Sequence, residues 1–397
     1  MNPDLDRLHS YSFQKLNALL EGVEPDSGRA VVPLHIGEPR HATPEFIKQA
    51  LIDHLPGLSS YPPTLGGEGL RVAIGEWLKR RYGLRAIDPA SEIVPVNGSK
   101  EALFAFAQTV VDSTRSGAVV VCPNPFYQLY EGAVLLAGAT PYFLNSVPEA
   151  GYVFDFDQLP EEVWSRTQLV YVCSPGNPTG HVMSLGEWER LFELSDRYGF
   201  VIASDECYSE IYFDEARPPL GGLQAAQHFR RAGYPRLVMF SSLSKRSNVP
   251  GMRSGFAAGD AGILKQFLLY RTYQGCAMSP PVQMASIAAW KDEAHVVDNR
   301  RLYREKFAAA LEILKPVLDV EMPGGGFYLW PKTPVDDTEF TRRLYQTQGV
   351  SVLPGSYLAR SSRGDNPGVQ RVRVALVASA TECTEAVRRI RAFVESL

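Results

Sequence analysis

Residues 241–255 read SSLSKRSNVPGMRSG, and they decide how the rest of the chain is read. A short apolar run, Leu237 to Phe240 (LVMF), precedes them and reads as a buried strand. Hydroxyls at Ser242 and Ser244, the amine of Lys245 and the guanidinium of Arg253 behind a Pro-Gly turn then come close together. Such a group suits a phosphate: the hydroxyls donate single hydrogen bonds and the arginine a bidentate, charge-assisted pair. A lysine beside that seat suits the aldehyde of a phosphorylated cofactor, the Schiff-base arrangement of pyridoxal phosphate. Taken alone, a serine-rich loop with Lys and Arg also reads as a solvated turn. Ser242 and Lys245 further form S-x-x-K, the nucleophile pair of penicillin-recognising enzymes. That chemistry needs a later K-T-G, and the nearest approach, Lys332-Thr333-Pro334, fails it.

The pattern S-x-S-K-x-x-x-V-P-G-x-R-x-G resembles the lysine signature of class I/II aminotransferases, departing from it at Ser254, where that family usually carries an aliphatic residue. The resemblance implies an α/β protein of fold type I, with a large pyridoxal 5'-phosphate domain around a mostly parallel sheet and a smaller α+β domain. The division expected is 36–285 for the large domain, with 1–35 and 286–397 forming an arm and the small domain.

The bulk properties fit a large enzyme. The 397 residues are 45% hydrophobic and 21% charged, enough for more than one domain. Net charge is −4 with no basic block, which argues against nucleic acid and anionic membrane surfaces as partners. No apolar run approaches the length of a membrane span, and the start, MNPDLDRLHSYSF, lacks a signal-peptide core. A soluble, cytoplasmic protein is expected. The five cysteines are scattered without C-x-x-C, so reduced, packed thiols are expected rather than a metal or redox centre.

Along the chain, a weak helix (Asp6 to Glu21) and a polar connector precede VVPLHIGEPRHATP. A helix is expected from Pro44, capped by Thr43. Four or five apolar residues then recur at Ile93–Val96, Ala118–Cys122, Leu169–Cys173, Phe200–Ala203 and Leu237–Phe240, with helical segments between them. Such runs read as parallel strands covered on both faces. Ligands of these sheets bind at the carboxyl ends of the strands, and the chemistry-bearing residues fall there.

Gly98-Ser99-Lys100 opens a helix after the first such strand, an anion seat of backbone amides. Asp205 ends a buried strand, placed for a protonated ring nitrogen, a reading preferred here to the helix cap that such an aspartate could also form. The resemblance pairs Asn177 and Tyr208 with the cofactor's phenolic oxygen and stacks Tyr127 on its ring; Asn177-Pro178 also reads as a plain turn, and Phe126 as core. It also brings the Gly37 amide to the substrate carboxylate, where an ordinary turn glycine reads as well. Tyr61, in the loop YPPTLGGEG, would reach the neighbouring subunit's phosphate, which implies a homodimer with shared sites; a surface tyrosine is the plainer alternative.

From about residue 286 a long charged helix leads into GGGFYLWP, VLPGSYLA and QRVRVALVA, an α+β unit to which residues near Val31 to Ile36 are expected to return. An amino-acid substrate needs its α-carboxylate held by an arginine. Arg371 and Arg373 lie two apart on one strand and so share a face; the family's register selects Arg373. The implied mechanism is transamination, with substrate amine displacing Lys245 from its Schiff base and the freed amine moving the α-proton.

The stretches YRTYQGCAMSPPVQ, PGGGFYLWPKTP and VLPGSYLAR resemble N-succinyldiaminopimelate aminotransferases of bacterial lysine synthesis. That implies transfer between glutamate and N-succinyl-2-amino-6-oxopimelate, with an alanine or aromatic aminotransferase as the alternative. Arg40, His41 and Arg271 are expected near the mouth, where they read first as solvated surface charge and second as partners for an extended acidic side chain. A carbon–sulfur lyase on the same scaffold is a further rival, as is a pyridoxal-binding regulator, which would need a DNA-binding element before Gly37.

Overall fold

The computed structural model describes residues 1–26 and 28–397. After β1 (Val32–Pro33), every expected apolar run is a strand: β2 (Ile93–Val96), β3 (Val119–Asn124), β5 (Thr167–Cys173), β6 (Val201–Asp205) and β7 (Leu237–Ser242). The periodicity missed β4 (Thr140–Asn145), an edge strand whose first four residues are exposed or half-buried and whose sequence, TPYFLN, mixes polar and apolar residues. With β8 (Gly255–Gly259) these strands form one seven-stranded sheet in the order β2-β8-β7-β6-β5-β3-β4. All pairings are parallel except those of β8, which is antiparallel to both its neighbours. The short connection Leu243–Ser254 explains that reversal: it has no room for a crossover helix, so the chain doubles back. Lys245 sits in this turn-back.

The sheet is buried on both faces. One side packs Leu70, Ile74, Trp77 and Leu78 of the helix Glu68–Tyr82 together with Trp188 and Trp290. The other packs Leu103 and Phe106 of the helix Ser99–Val110 with Tyr130, Phe240 and Phe267. The helix Pro280–Lys291 spans residue 286, and its Ala289 and Trp290 belong to the first of these cores.

A separate core lies beyond the long helix Ala294–Leu314. Here β9 (Tyr328–Leu329), β10 (Val350–Ser351), β11 (Leu353–Pro354) and β12 (Val372–Ala375) give a three-stranded antiparallel sheet, β11-β12-β9, and the parallel pair β1–β10. Val32 lies opposite Val350, so the segment before Gly37 does return to this part of the chain. The expected cap at Thr43 is not formed. The helix starts at Glu45 with Pro44 as its N-cap, and the Thr43 hydroxyl donates instead to the Asn248 carbonyl at 2.7 Å. That bond ties the loop after Gly37 to the Lys245 connection.

Candidate active site

At the carboxyl ends of β2, β3, β5, β6 and β7 lies a cavity of about 260 Å³, closed from one side by β9, β12 and residues 11–13 of the arm. Gly37, Ser99, Lys100, Tyr127, Asn177, Asp205, Tyr208, Ser242, Ser244, Lys245, Arg253 and Arg373 all line it. Segments more than 300 residues apart in sequence therefore converge on one space.

The anion seat is built first by backbone geometry. Ser242 caps the single turn Leu243–Arg246: its Oγ accepts from the Ser244 amide at 3.1 Å and lies 2.9 Å from the Ser244 Oγ. Arg253 has a left-handed backbone (φ 53°), which points the chain back into β8, and its Nη1 donates to the Pro250 carbonyl. Gly98 has φ 85°, and a Cβ there would collide with the Arg253 guanidinium. Only glycine permits this approach of helix start to arginine. Hydroxyls, helix-start amides and a guanidinium thus face one point, a donor set suited to a phosphate.

Asp205 ends β6 nearly fully buried and accepts hydrogen bonds from the Tyr130 hydroxyl at 2.7 Å and the Cys207 amide at 3.2 Å. Burial pushes its carboxyl above the ordinary range, and Tyr130, Cys207 and Lys245 offset this in part. A buried carboxylate so placed favours a cationic partner in the cavity. Lys245 Nζ donates to the Gly37 carbonyl at 2.9 Å. Its pKa falls to about 8, chiefly through burial and further through the positive charges of Arg373 and Arg253, while Cys207 and Glu38 oppose the fall. The amine is therefore available in neutral form far more than a surface lysine.

Arg373 is oriented by two acceptors at 3.0 Å, Asn177 Oδ1 and the His35 carbonyl, and its guanidinium lies 4.3 Å from the centre of the Tyr328 ring. Its Nε is buried without a partner among the described residues, a spare donor beside the cavity that suits an anion. Arg371, two residues earlier, bonds the Trp330 carbonyl and faces a different cavity. The shared face is real, yet only Arg373 reaches this site. His35 stays neutral beside it, its pKa lowered to about 4 by burial and then by Arg373 and Arg40.

Several participants escaped sequence reasoning. Tyr130 orients Asp205, and the Tyr328 and Tyr208 hydroxyls lie 3.0 Å apart. A Cβ on Gly37 would overlap the Tyr328 hydroxyl, so that loop glycine is required sterically. Cys207 donates its thiol to Ser99 Oγ at 3.0 Å. Tyr11, Ser12 and Phe13 line the mouth, held there by Gln128, which accepts from the Ser12 amide and donates to the His9 and Ser10 carbonyls. Gly37 and Tyr208 were expected at the site, but no sequence signal marked Tyr328, Cys207 or residues 11–13, and Tyr130 only in that it lies three residues beyond the noted Tyr127.

Other expectations meet different outcomes. Phe126 is buried as expected, but it also borders the cavity. Lys100 lines the rim with an exposed side chain whose ammonium lies 5.0 Å from the Tyr11 ring centre. Tyr61 is fully exposed and outside the cavity of its own chain. Arg271 is not at the mouth: it is completely buried and paired with Glu101 at 2.5 Å, because the helix Ala261–Gln274 packs against the start of the helix Ser99–Val110. His41 is held by Asn299 and Lys306, also away from the cavity lining, while Arg40 is exposed.

No helix among the described residues is long and apolar enough to cross a membrane. The profile described as aminotransferase class I and II matches residues 29–390. An LL-diaminopimelate aminotransferase of Syntrophobacter fumaroxidans is 31% identical over 396 residues, covering 98% of this chain and 97% of that one. Among solved structures, an aminotransferase from Neisseria meningitidis superposes with TM-score 0.96 at 52% identity, covering 99% of this chain and 100% of that one. A probable N-succinyldiaminopimelate aminotransferase from Thermus thermophilus superposes with TM-score 0.86 at 26% identity, covering 97% and 100%. With the matched profile spanning nearly the whole chain and a relative 31% identical over 98% of it, this chain belongs to the class I and II aminotransferases and is a pyridoxal-phosphate-dependent transaminase.

Proposed function

We propose that the enzyme moves an amino group between glutamate and the oxo acid of N-succinyl-LL-2,6-diaminopimelate. The observation that carries this reading is the charge inventory of the cavity. Its lining holds four cationic side chains, Lys100, Lys245, Arg253 and Arg373, and one carboxylate, Asp205, deep within. With Arg253 assigned to the cofactor phosphate, Arg373 to the substrate α-carboxylate and Lys245 to chemistry, Lys100 remains at the rim for a distal anion. A succinyl carboxylate meets that need, whereas a free distal ammonium finds no acid in the lining. The Thermus neighbour's description agrees. Unmodified LL-diaminopimelate is the second reading, favoured by the name of the Syntrophobacter relative.

In this reading Gly98, Ser99, Ser242, Ser244 and Arg253 hold the phosphate, with Tyr61 contributed to a partner subunit's site in a homodimer. Lys100 contributes its backbone at the same helix start. Asp205 holds the protonated ring nitrogen, Asn177 and Tyr208 face the ring oxygen, and Tyr127 supports the ring face. When bound, pyridoxal phosphate supplies an electron sink for negative charge at the substrate α-carbon. Lys245, neutral and positioned by the Gly37 carbonyl, takes the α-proton and later returns a proton as general acid. Arg373 fixes the α-carboxylate, with the Gly37 backbone close by, and the arm residues Tyr11 to Phe13 shield the site from water.

Two measurements test this reading. With 2-oxoglutarate as acceptor, kcat/KM for N-succinyl-LL-diaminopimelate should exceed that for LL-diaminopimelate, alanine, phenylalanine and aspartate. Lys100→Ala should lower it for the succinylated substrate alone, by up to about tenfold, the equivalent of about 1.4 kcal/mol of charge contact at the rim. If unmodified LL-diaminopimelate matches it, the second reading holds; if a simple amino acid does, both fall. Separately, Arg373→Ala should weaken amino- and oxo-acid binding by about 2–5 kcal/mol, seen mainly in KM. Arg371→Ala should leave KM nearly unchanged, and the reverse outcome would move the carboxylate site two residues upstream.

A further inference from the structure

A second cavity of about 560 Å³ lies between residues 148–152 and 179–182 on one side and the segment 319–324 on the other, with Tyr328, Trp330 and Arg371 in its wall. Tyr328 belongs to the walls of both cavities. Strand alternation explains the arrangement: Arg373 and Arg371 share one face of the β12 strand line, as Tyr328, Trp330 and Lys332 do on the β9 line, with Tyr328 opposite Ala375 and Lys332 opposite Arg371. Arg373 and Tyr328 line the active-site cavity, and Arg371 and Trp330 line the second one with Tyr328.

Arg371 is only 8% exposed, yet among the described residues its side chain makes a single hydrogen bond, to the Trp330 carbonyl, and pairs with no carboxylate. Its guanidinium lies 5.8 Å from the centre of the Tyr152 ring. Tyr152 itself adopts a left-handed backbone (φ 63°), a conformation costly for a bulky residue, which sets its ring against the arginine. Trp330 is 6% exposed and its indole N–H is buried with no partner. Across the same cavity stands Asp319, exposed and without an ion pair among the described residues, while the neighbouring Glu321 is taken by Lys315 at 2.6 Å. The guanidinium donors of Arg371 that the Trp330 carbonyl does not use are not sealed in the core but keep access to solvent beside the cavity, where an anion can meet them.

We propose that this cavity is a second binding site, for a free α-amino acid whose carboxylate is held by Arg371 and whose ammonium is met by Asp319. The site is separate from the transamination site and does not rest on which substrate that site prefers. Tyr328, a common wall of the two cavities, also packs on Arg373, so a bound amino acid would adjoin the transamination site through that ring.

The test is equilibrium dialysis of the holoenzyme with radiolabelled α-methyl-L-glutamate, which has no α-proton to lose and so is not turned over. Wild type should bind two molecules per subunit, Arg371→Gln one and Arg373→Gln one. Asp319→Asn, at an exposed position, should weaken the second site at least tenfold and leave the first unchanged, which keeps the test decisive if Arg371→Gln does not fold. One molecule per subunit in wild type, or two of unchanged affinity in both Arg371→Gln and Asp319→Asn, would overturn the proposal.

Discussion

Lys245→Ala should lower turnover by about four orders of magnitude or more, because in the proposed mechanism one side chain supplies both the covalent tether of the cofactor and the general base. The cofactor's phosphate seat is untouched by this change, so pyridoxal phosphate should still bind, but borohydride should no longer fix it to the protein. The pH dependence follows from the lowered pKa. In the cofactor-free wild type, only the neutral amine attacks the aldehyde, so the capture rate should rise with pH and level off above about 8. An ordinary lysine would keep rising to beyond pH 10. A Lys245→Ala enzyme retaining near-normal turnover would remove the central role given to this residue.

The second large effect is expected at Asp205. Asp205→Ala should reduce kcat by on the order of 10²–10³ at saturating substrate, with little change in substrate KM, since the loss falls on stabilising charge in the transition state. The residue accepts two hydrogen bonds, so its orientation is part of its action. Tyr130→Phe removes one of them and should cost about 1 kcal/mol, roughly a fivefold to tenfold fall in kcat. Equal losses in the two variants would point to general damage at the end of β6 rather than to the carboxylate. Near-ultraviolet circular dichroism on both proteins checks that the packing of Tyr130 on Tyr171, 4.7 Å apart and stacked, survives.

What was legible in the sequence was whatever lay within one turn of chain. Ser242, Ser244, Lys245 and Arg253 are brought together by a connection of a dozen residues, so spacing alone placed them. Asp205 and Asn177 follow apolar runs whose strand ends are visible as composition. By contrast, Tyr328 meets Tyr208 and Gly37 only because β9 and β12 are folded over the main sheet, and no local pattern records that. Arg271 was misplaced for the same reason. A charged residue in a loop-rich stretch reads as surface until its partner, Glu101 on a distant helix, is seen. Lys100 shows the reverse: the helix start was correctly placed, but the direction of its side chain toward the arm depends on where Tyr11 docks.

The pairing of Val32 with Val350, and of the Leu34 carbonyl with the Ala375 amide, has a consequence for the order in which the enzyme matures. On the ribosome, elongating at about 5–20 residues per second, the strands through β8 emerge well before β10 and β12. The phosphate seat and Lys245 can therefore form while Gly37 still lacks the framework that holds it against Lys245, and while Arg373 does not yet exist. A nascent chain stalled once the helix Pro280–Lys291 has left the ribosome, with both faces of the main sheet covered, should capture pyridoxal phosphate but discriminate poorly among amino acids. Selectivity is the last property the polypeptide acquires.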